Sequence, residues 1–572
     1  MTAQATDLPP LNSQSPLNLQ TTYQSDVTII GAGIAGLVCA LEIMDNDVKN
    51  GTNHNILMLD RDVQAHFGGL ARWSFGGILL VGTPEQKRAK VKDSPAIALK
   101  DWYSFGEFGQ NPKKERWAWA WAERYVYDSK TWIYDWLKQR GVSFLPMPLW
   151  VERGNHGGGT VVKKAGGNSV PRWHVVWGTG FGLVNQLIKT FEQHAKRGNV
   201  QLAFEHHVTD MMSNKTGVIG CQGHDANQHA FVAHSKITVI TSGGINGNIE
   251  MVKKHWHKDW GNPPKTILNG AHWYADGTLH KVAKGLGANI TFLDRQWNYA
   301  AGVHHWKPLM PNHGLSLVPA RSALWLDPDG NRIIGDIPLI TGFDTRDLVT
   351  QVCKHPDGYS WQILNYKIAK KEFAISGSEF NPAIRDGSKF KLLKDILFGN
   401  KALVNEAIEN CQDIVIADSL PELVKKMNAL AGNDKVKLEN VQKVITAYDA
   451  QIDLGEGNFT DEQLKRIALV RQWRGDKMRT CKFQKIDDPN ATPYIAIREF
   501  IVSRKSLGGI QTDLSGRVLT PKGLPIKGLY AAGEATGFGG GGMNGLRGLE
   551  GTFLGGCIYS GRRAGLAIST AK

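Results

Sequence analysis

Between the apolar run Asp26–Ile30 and a densely apolar stretch that starts at Ile34 lies Gly31-Ala32-Gly33-Ile34-Ala35-Gly36. Glycines at this spacing are what a phosphate-binding turn demands. Gly31 permits the sharp turn, Gly33 lets backbone approach a pyrophosphate, and Gly36 lets helix and strand pack closely. The N–H groups that open the helix then face the phosphates, with the positive end of the helix dipole behind them. Asp60 lies 24 residues past Gly36, at the end of the apolar run Ile56–Leu59, where a carboxylate can accept hydrogen bonds from a ribose hydroxyl. Strand, glycine turn, helix and a second strand ending in an acid make a βαβ unit for a dinucleotide. By itself the unit admits NAD as readily as FAD.

The elements that must hold this turn are spread along a chain of 572 residues, too long for one hydrophobic core. Ile34–Met44 reads as a helix packed on a sheet. From Asp93 to Arg140 the pattern is mainly helical and aromatic, and Trp117, Trp121 and Tyr125 share a face that suits core packing. Leu183–Ala195 reads as a helix, Val200–Phe204 and Lys236–Thr241 as strands. Between about 306 and 500 the alternation of strand and helix breaks down, and the long helical passages Ala402–Asn410, Pro421–Leu430 and Val441–Ile452 suggest a separate mixed domain. Short-strand character returns at Gly528–Tyr530, before a terminal helix near 551–567.

Composition narrows the function. Apolar residues at 42% and charged residues at 21% suit an ordinary globular protein. The six cysteines are scattered with no CxxC or CxxCH spacing, which argues against a cluster, covalent haem, structural zinc or a disulfide scaffold; no metal site is expected. The formal charge of +14 comes from lysines and arginines spread along the whole chain with no nucleic-acid motif, which favours a solvated basic surface. Residues 1–25 are polar, hold no Lys or Arg, and read as a disordered leader rather than a secretory signal. No stretch approaches the length of a membrane span, so a cytoplasmic enzyme is expected.

Further glycine segments follow in order: His66–Gly77 with the pairs Gly68-Gly69 and Gly76-Gly77, Thr241–Gly244, Leu507–Ile510 with Asp513, and Gly528–Gly537 (GLYAAGEATG). With the βαβ unit they resemble, over most of the chain from residue 26, the flavoprotein family of soluble fumarate reductases, succinate dehydrogenase flavoprotein subunits and ketosteroid dehydrogenases. The resemblance implies FAD. It also implies an α/β fold: a three-layer Rossmann-type FAD-binding domain formed by residues 26–305 and 506–572, interrupted by an α+β capping domain at 306–505. Against the cofactor it sets Gly31, Gly33, Ala35, Gly36, Asp60, Arg61, Gly68, Gly69, Gly77, Val208, Gly243, Gly533, Glu534, Gly551 and Thr552. The N-terminus of the last helix would point at the flavin N1/O2 edge, where a reduced ring carries negative charge.

Two branches of that family handle substrate differently. Dicarboxylate enzymes use arginines and histidines, and Asp344–Asp347, His304-His305 and Gly545–Gly548 resemble the segments that carry them, which nominates Arg346, His305 and Arg547. Ser503–Ser506 stands where those enzymes usually place a histidine before the glycines, and Arg346 beside Asp347 also reads as a surface ion pair. Ketosteroid dehydrogenases use tyrosines. Pro493–Ala496 matches a tyrosine-bearing segment, with the tyrosine position on Ile495 and Tyr494 next to it. Trp297, Tyr299, Trp306, Trp325 and Trp361 can line a large apolar pocket or pack a core. The leading expectation is hydride exchange between flavin N5 and a C–C bond next to a carbonyl in a ketosteroid-like or other enone or ketone. Reduction of a small unsaturated carboxylate is the alternative, and a basic flavoprotein that binds nucleic acid is the alternative of another class. Expected partners are a small-molecule substrate and an electron donor or acceptor, without nucleic acid or a membrane span.

Overall fold

The computed structural model describes residues 21–109, 111–153, 166–196, 200–334 and 344–571. Its first strand runs Thr21–Ile30, so residues 21–25 belong to a strand and not to the polar leader; the rest of the leader lies outside the described residues. Main-chain pairing, Thr21 opposite Phe231 through Ser25 opposite Ser235, holds this stretch without an apolar pattern. The helix Ile34–Asn50 follows the glycine turn and is buried along most of its length. Ile56–Leu59 lies parallel to the first strand on one side and Ala230–Ile240 on the other. Val200–Ala203 and Pro525–Ala531 extend the sheet at either side, both in parallel. The last part of the chain therefore returns to the sheet that its beginning started, as a split nucleotide domain requires.

A meander, His206–Asn214 and Gly217–Asp225, attaches antiparallel to Ala230–Ile240. The terminal helix Thr552–Ser569 packs on the first helix through small residues: a Cβ at Gly561 would stand 2.6 Å from the carbonyl oxygen of Ala35, and one at Gly565 2.6 Å from that of Cys39. Arg562 pairs with Glu42 across the seam at 2.6 Å. Trp121 and Tyr125 are buried edge-on to Tyr559, as core packing predicts.

The second sheet belongs to the cap. Its order is Leu324–Leu326, Tyr359–Asn365, Tyr494–Ser506, Gln296–His304, Gly314–Val318, Ala374–Ile375, and Ile414–Ala417 and Ile267–Asn269 also pair with Tyr494–Ser506. Two of these strands, Ile267–Asn269 and Gln296–His304, precede the boundary expected at 305/306. Gln296–His304 is buried on both faces and finds its partners about 200 positions later, Tyr299 opposite Val502 and Gly302 opposite Phe500, so nothing local in the sequence marks it as cap. The helices Lys401–Asn410, Leu420–Ala431 and Leu438–Asp453 occur where their apolar spacing predicts. The whole is a mixed α/β domain with capping elements.

Glu499 sits in the middle of the cap sheet. Its Oε1 accepts a hydrogen bond from Gln362 Nε2 at 3.0 Å, and Oε2 has no hydrogen-bond partner among the described residues. Burial pushes its carboxyl up to about 8. Above the ordinary carboxylate range the unfolded chain loses this proton while the folded chain keeps it, so the folded state binds more protons and stability falls as pH rises toward 8. Glu499→Gln is expected to flatten that slope, with a gain relative to wild type of up to about 3 kcal/mol by pH 7. Chemical denaturation at pH 5 and pH 7 checks this; parallel pH profiles for the two proteins would refute it.

Candidate active site

The C-terminal ends of the parallel strands open into a cleft with an empty volume of ≈ 1350 Å³ out to solvent. Of the residues expected against a cofactor, Gly31, Gly33, Ala35, Asp60, Arg61, Gly68, Gly69, Val208, Gly243 and Glu534 line it. Gly31 has φ 106°, and a Cβ there would stand 2.5 Å from the carbonyl oxygen of Thr241. At Gly33 a Cβ would meet nothing within 4 Å, so the turn presents bare backbone to the cleft. Gly33 caps the first helix without a side-chain hydrogen bond, which leaves the first-turn N–H groups for a ligand. Asp60 accepts hydrogen bonds from the N–H groups of Ala32 at 2.5 Å and Asp62 at 2.7 Å, and burial still raises its carboxyl. It braces the turn while facing the cleft. The donor set and the open glycine cradle fit a dinucleotide diphosphate.

Gly36, Gly77, Gly533, Gly551 and Thr552 do not line the cleft; they shape its walls. A Cβ would stand 2.1 Å from the Gly31 oxygen at Gly36, 1.8 Å from Trp173 Nε1 at Gly77, 2.6 Å from Ala35 Cβ at Gly533 and 2.4 Å from the Leu79 nitrogen at Gly551. Thr552 Oγ1 donates to the carbonyl of Leu549 at 2.7 Å. These contacts bring the first turn of the terminal helix to the cleft, where Phe553, Leu554 and Cys557 line it. Sequence reasoning missed the opposite wall, Tyr274 and Asp276. Arg61 pairs with Asp276 at 2.7 Å and lies 4.4 Å over the Tyr274 ring. The segment that carries them has no motif, and only the fold brings it to Arg61.

At its inner end the cleft meets the cap through a buried cluster of charge. The strand Tyr494–Ser506 delivers Arg504 and Lys505, with Lys505 Nζ 4.2 Å over the Trp297 ring and 4.4 Å over Phe553. Glu534 accepts a hydrogen bond from the Ser506 N–H at 2.9 Å. Burial drives the Lys505 ammonium down and the Glu534 and Glu550 carboxyls up. Tyr299 donates to Glu550 Oε2 at 3.3 Å, and burial, with Glu550 beside it, holds the phenol well above its usual range. Tyr299 and Glu550 line a second cavity with an empty volume of ≈ 1160 Å³ out to solvent, walled by Phe75, Leu149, Trp150, Trp173, Leu317 and Ile375 and by the charged Arg153, Arg321, Glu372, Asp476 and Arg479.

The expected catalytic residues fare unequally. His305 lines a third cavity of ≈ 680 Å³ that shares Leu70, Ser74, His272 and Arg504 with the cleft; its ring pairs with Glu379 at 3.3 Å and lies 4.4 Å from His313. Arg346 is buried rather than a surface residue, and it binds Asp259 at 2.8 Å and His257 at 3.2 Å. Arg547 binds Asp344 and Glu107. Neither arginine lines any of the three cavities. Tyr494 lines none of the three cavities: it begins the strand that Lys505 nearly ends, about 35 Å away at ~3.3 Å per residue, and its hydroxyl binds Asp487 at 2.5 Å. Tyr299, by contrast, lines the second cavity beside Glu550.

The FAD binding domain family model matches residues 26–554, and the chain belongs to that family. It is an FAD-binding dehydrogenase of the fumarate reductase and succinate dehydrogenase flavoprotein family, close to the ketosteroid dehydrogenase-like branch, and an oxidoreductase acting on CH–CH groups. A KsdD-like steroid dehydrogenase of Mycobacterium tuberculosis is 38% identical over 557 residues, 95% of each chain. A protein of the same description from Mycolicibacterium smegmatis is 38% identical over 546 residues, 93% of this chain and 96% of that one. In fold the chain is similar to 3-ketosteroid delta1-dehydrogenase from Sterolibacterium denitrificans, with a TM-score of 0.68, 14% identity and coverage of 96% of this chain and all (100%) of that one. No described helix is long and apolar enough to cross a membrane.

Proposed function

We propose that this protein moves hydrogen to or from the C–C bond next to the carbonyl of a bulky, apolar, steroid-like ketone held between the cap and the FAD domain. One observation carries the reading. The second cavity is lined by the aromatic and aliphatic side chains Phe75, Leu149, Trp150, Trp173, Leu317 and Ile375, with Arg153, Arg321, Glu372, Asp476 and Arg479 also on its wall, and by the Tyr299–Glu550 pair, while Lys505 and Phe553 line the adjoining cleft. The relatives named as steroid dehydrogenases support the same substrate class. The two arginines nominated for a small dicarboxylate, Arg346 and Arg547, are engaged by Asp259 and by Asp344 with Glu107 and line none of the three cavities, although Arg153, Arg321 and Arg479 do line the second one.

Bound FAD supplies the hydride acceptor or donor. The chain supplies the proton path. With its phenol held protonated, Tyr299 can take a proton from a substrate carbon only as its own proton passes to Glu550, whose raised carboxyl is a better acceptor than an ordinary one. In the reducing direction the same two protons run the other way.

The test is spectroscopic. Purified holoprotein, held anaerobically, is mixed with a panel of saturated and unsaturated 3-ketosteroids, simple enones and fumarate. A saturated or partly saturated ketosteroid is expected to bleach the oxidised flavin, and fumarate to leave the reduced flavin reduced. Rapid reoxidation by fumarate with no response to any ketone would overturn the reading.

A further inference from the structure

The cap carries a helix that the proposed chemistry does not use. Lys389–Phe398 (KFKLLKDILF) has no buried residue. Phe390 is 82% exposed, Leu393 55%, Leu397 64% and Phe398 70%. Among the described residues, the other large apolar side chains this exposed stand singly along the sequence, at positions such as Val48, Leu309 and Leu524. Here they form a face. At about 100° per residue, Phe390, Leu393 and Leu397 fall within about 60° of one another. Lys389 flanks that face on one side and Lys394 on the other, with Lys391 beyond. Leu392 and Ile396, both half-buried, lie on the side turned toward the protein. Asp395 is the helix's one acid.

We propose that this helix docks the protein on the surface of an anionic lipid bilayer, lying in the interface with Phe390, Leu393 and Leu397 among the acyl chains. Lysines are suited to such a rim, since their stems cover apolar surface while their ammonium groups reach lipid phosphates. Each basic group near an anionic leaflet adds attraction that falls off within a Debye length. A second copy of the chain fits the face less well. Ten residues of helix span only about 15 Å, and an isologous pairing would set the lysine rims of the two copies against each other. Nucleic acid would match the lysines but leave the phenylalanines and leucines in water.

The helix's position gives the docking a use. It follows directly on the segment that serves both cap cavities: Asn381 lines the second, and Glu379 and Phe380 the third. A bilayer held at this helix would lie close to residues that line both cavities. Docking requires no particular substrate, so its failure and a failure of the steroid reading are separable.

The experiment is co-sedimentation of the holoprotein with vesicles of phosphatidylcholine alone or with 30% phosphatidylglycerol, at 0.05 and 0.5 M salt. Wild type is expected to pellet with the anionic vesicles, more weakly at high salt. The variants Phe390→Ser/Leu397→Ser and Lys389→Gln/Lys394→Gln are each expected to lower the partition coefficient at least tenfold. Flavin spectrum and Tm, taken in parallel, should match wild type because all four side chains are exposed. Absence of binding to anionic vesicles, or undiminished pelleting of the apolar variant, would overturn the proposal. So would self-association without lipid that the same apolar substitutions abolish, since a second copy would then be the occupant.

Discussion

Tyr299→Phe is expected to lower kcat about 10²–10⁴-fold, the usual contribution of a positioned proton-transfer group, equivalent to about 3–5 kcal/mol of barrier. The ring itself should stay where it is, because it packs against Trp297 at 4.7 Å between centroids and is nearly wholly buried. What is lost is the hydroxyl, and with it the link at 3.3 Å to Glu550. Flavin content and substrate KM should change little, so the effect belongs in the rate of flavin bleaching on rapid mixing. Glu550→Gln supplies the second arm. In the dehydrogenating direction Glu550 must be ionised to receive the proton. Since burial raises its carboxyl, the wild-type rate should climb with pH through a value above the ordinary carboxylate range. The glutamine variant should be slow and lack that limb, and in the reducing direction the wild-type limb should fall with pH instead. A Tyr299→Phe enzyme within threefold of wild type would remove Tyr299 from the chemistry.

What could be read in the sequence follows the range of the interactions involved. The glycine turn and the helix after it are specified within about thirty residues and form as expected, with open space at Gly33, while Asp60 accepts from the N–H groups of Ala32 and Asp62. Cap helices such as Leu420–Ala431 were legible because an apolar stripe at helical spacing is local. The cap sheet was not. Its central strands are buried on both faces and show no alternation, and the pairing of Trp297 with Lys505 joins residues some two hundred apart. This pairing builds the Tyr299, Glu550 and Lys505 cluster. The sequence offered Tyr299 only as one aromatic among several, and offered Tyr494 by motif. The thirteen-residue strand Tyr494–Ser506 sets Tyr494 at one end and Lys505 near the other. Arg346 shows the same limit at smaller scale. Its neighbour in sequence is Asp347, yet it binds Asp259, 87 positions away. A side chain's nearest opposite charge in sequence is a weak guide once the residue is buried.

Gly33→Ala offers the sharpest separation of cofactor binding from folding. At Gly31 and Gly36 a methyl group would strike backbone, the Thr241 oxygen at 2.5 Å and the Gly31 oxygen at 2.1 Å, so substitutions there disturb the turn itself. Gly33 differs. Its φ of −66° and ψ of 176° suit any residue, and a Cβ would enter the cleft without meeting protein within 4 Å. The methyl is therefore expected to leave the apoprotein's stability within about 0.5 kcal/mol, as for a substitution away from packed features. It would, however, occupy the space through which backbone approaches the diphosphate. Affinity for FAD should drop by about two orders of magnitude or more, and Gly33→Val should take up no flavin. Denaturation of apoprotein gives the first quantity, and titration of the apoprotein with FAD, followed by quenching of flavin fluorescence, gives the second. Tight FAD binding by Gly33→Val would mean that the diphosphate does not lie against this turn, and the assignment of the whole cleft would have to be reversed.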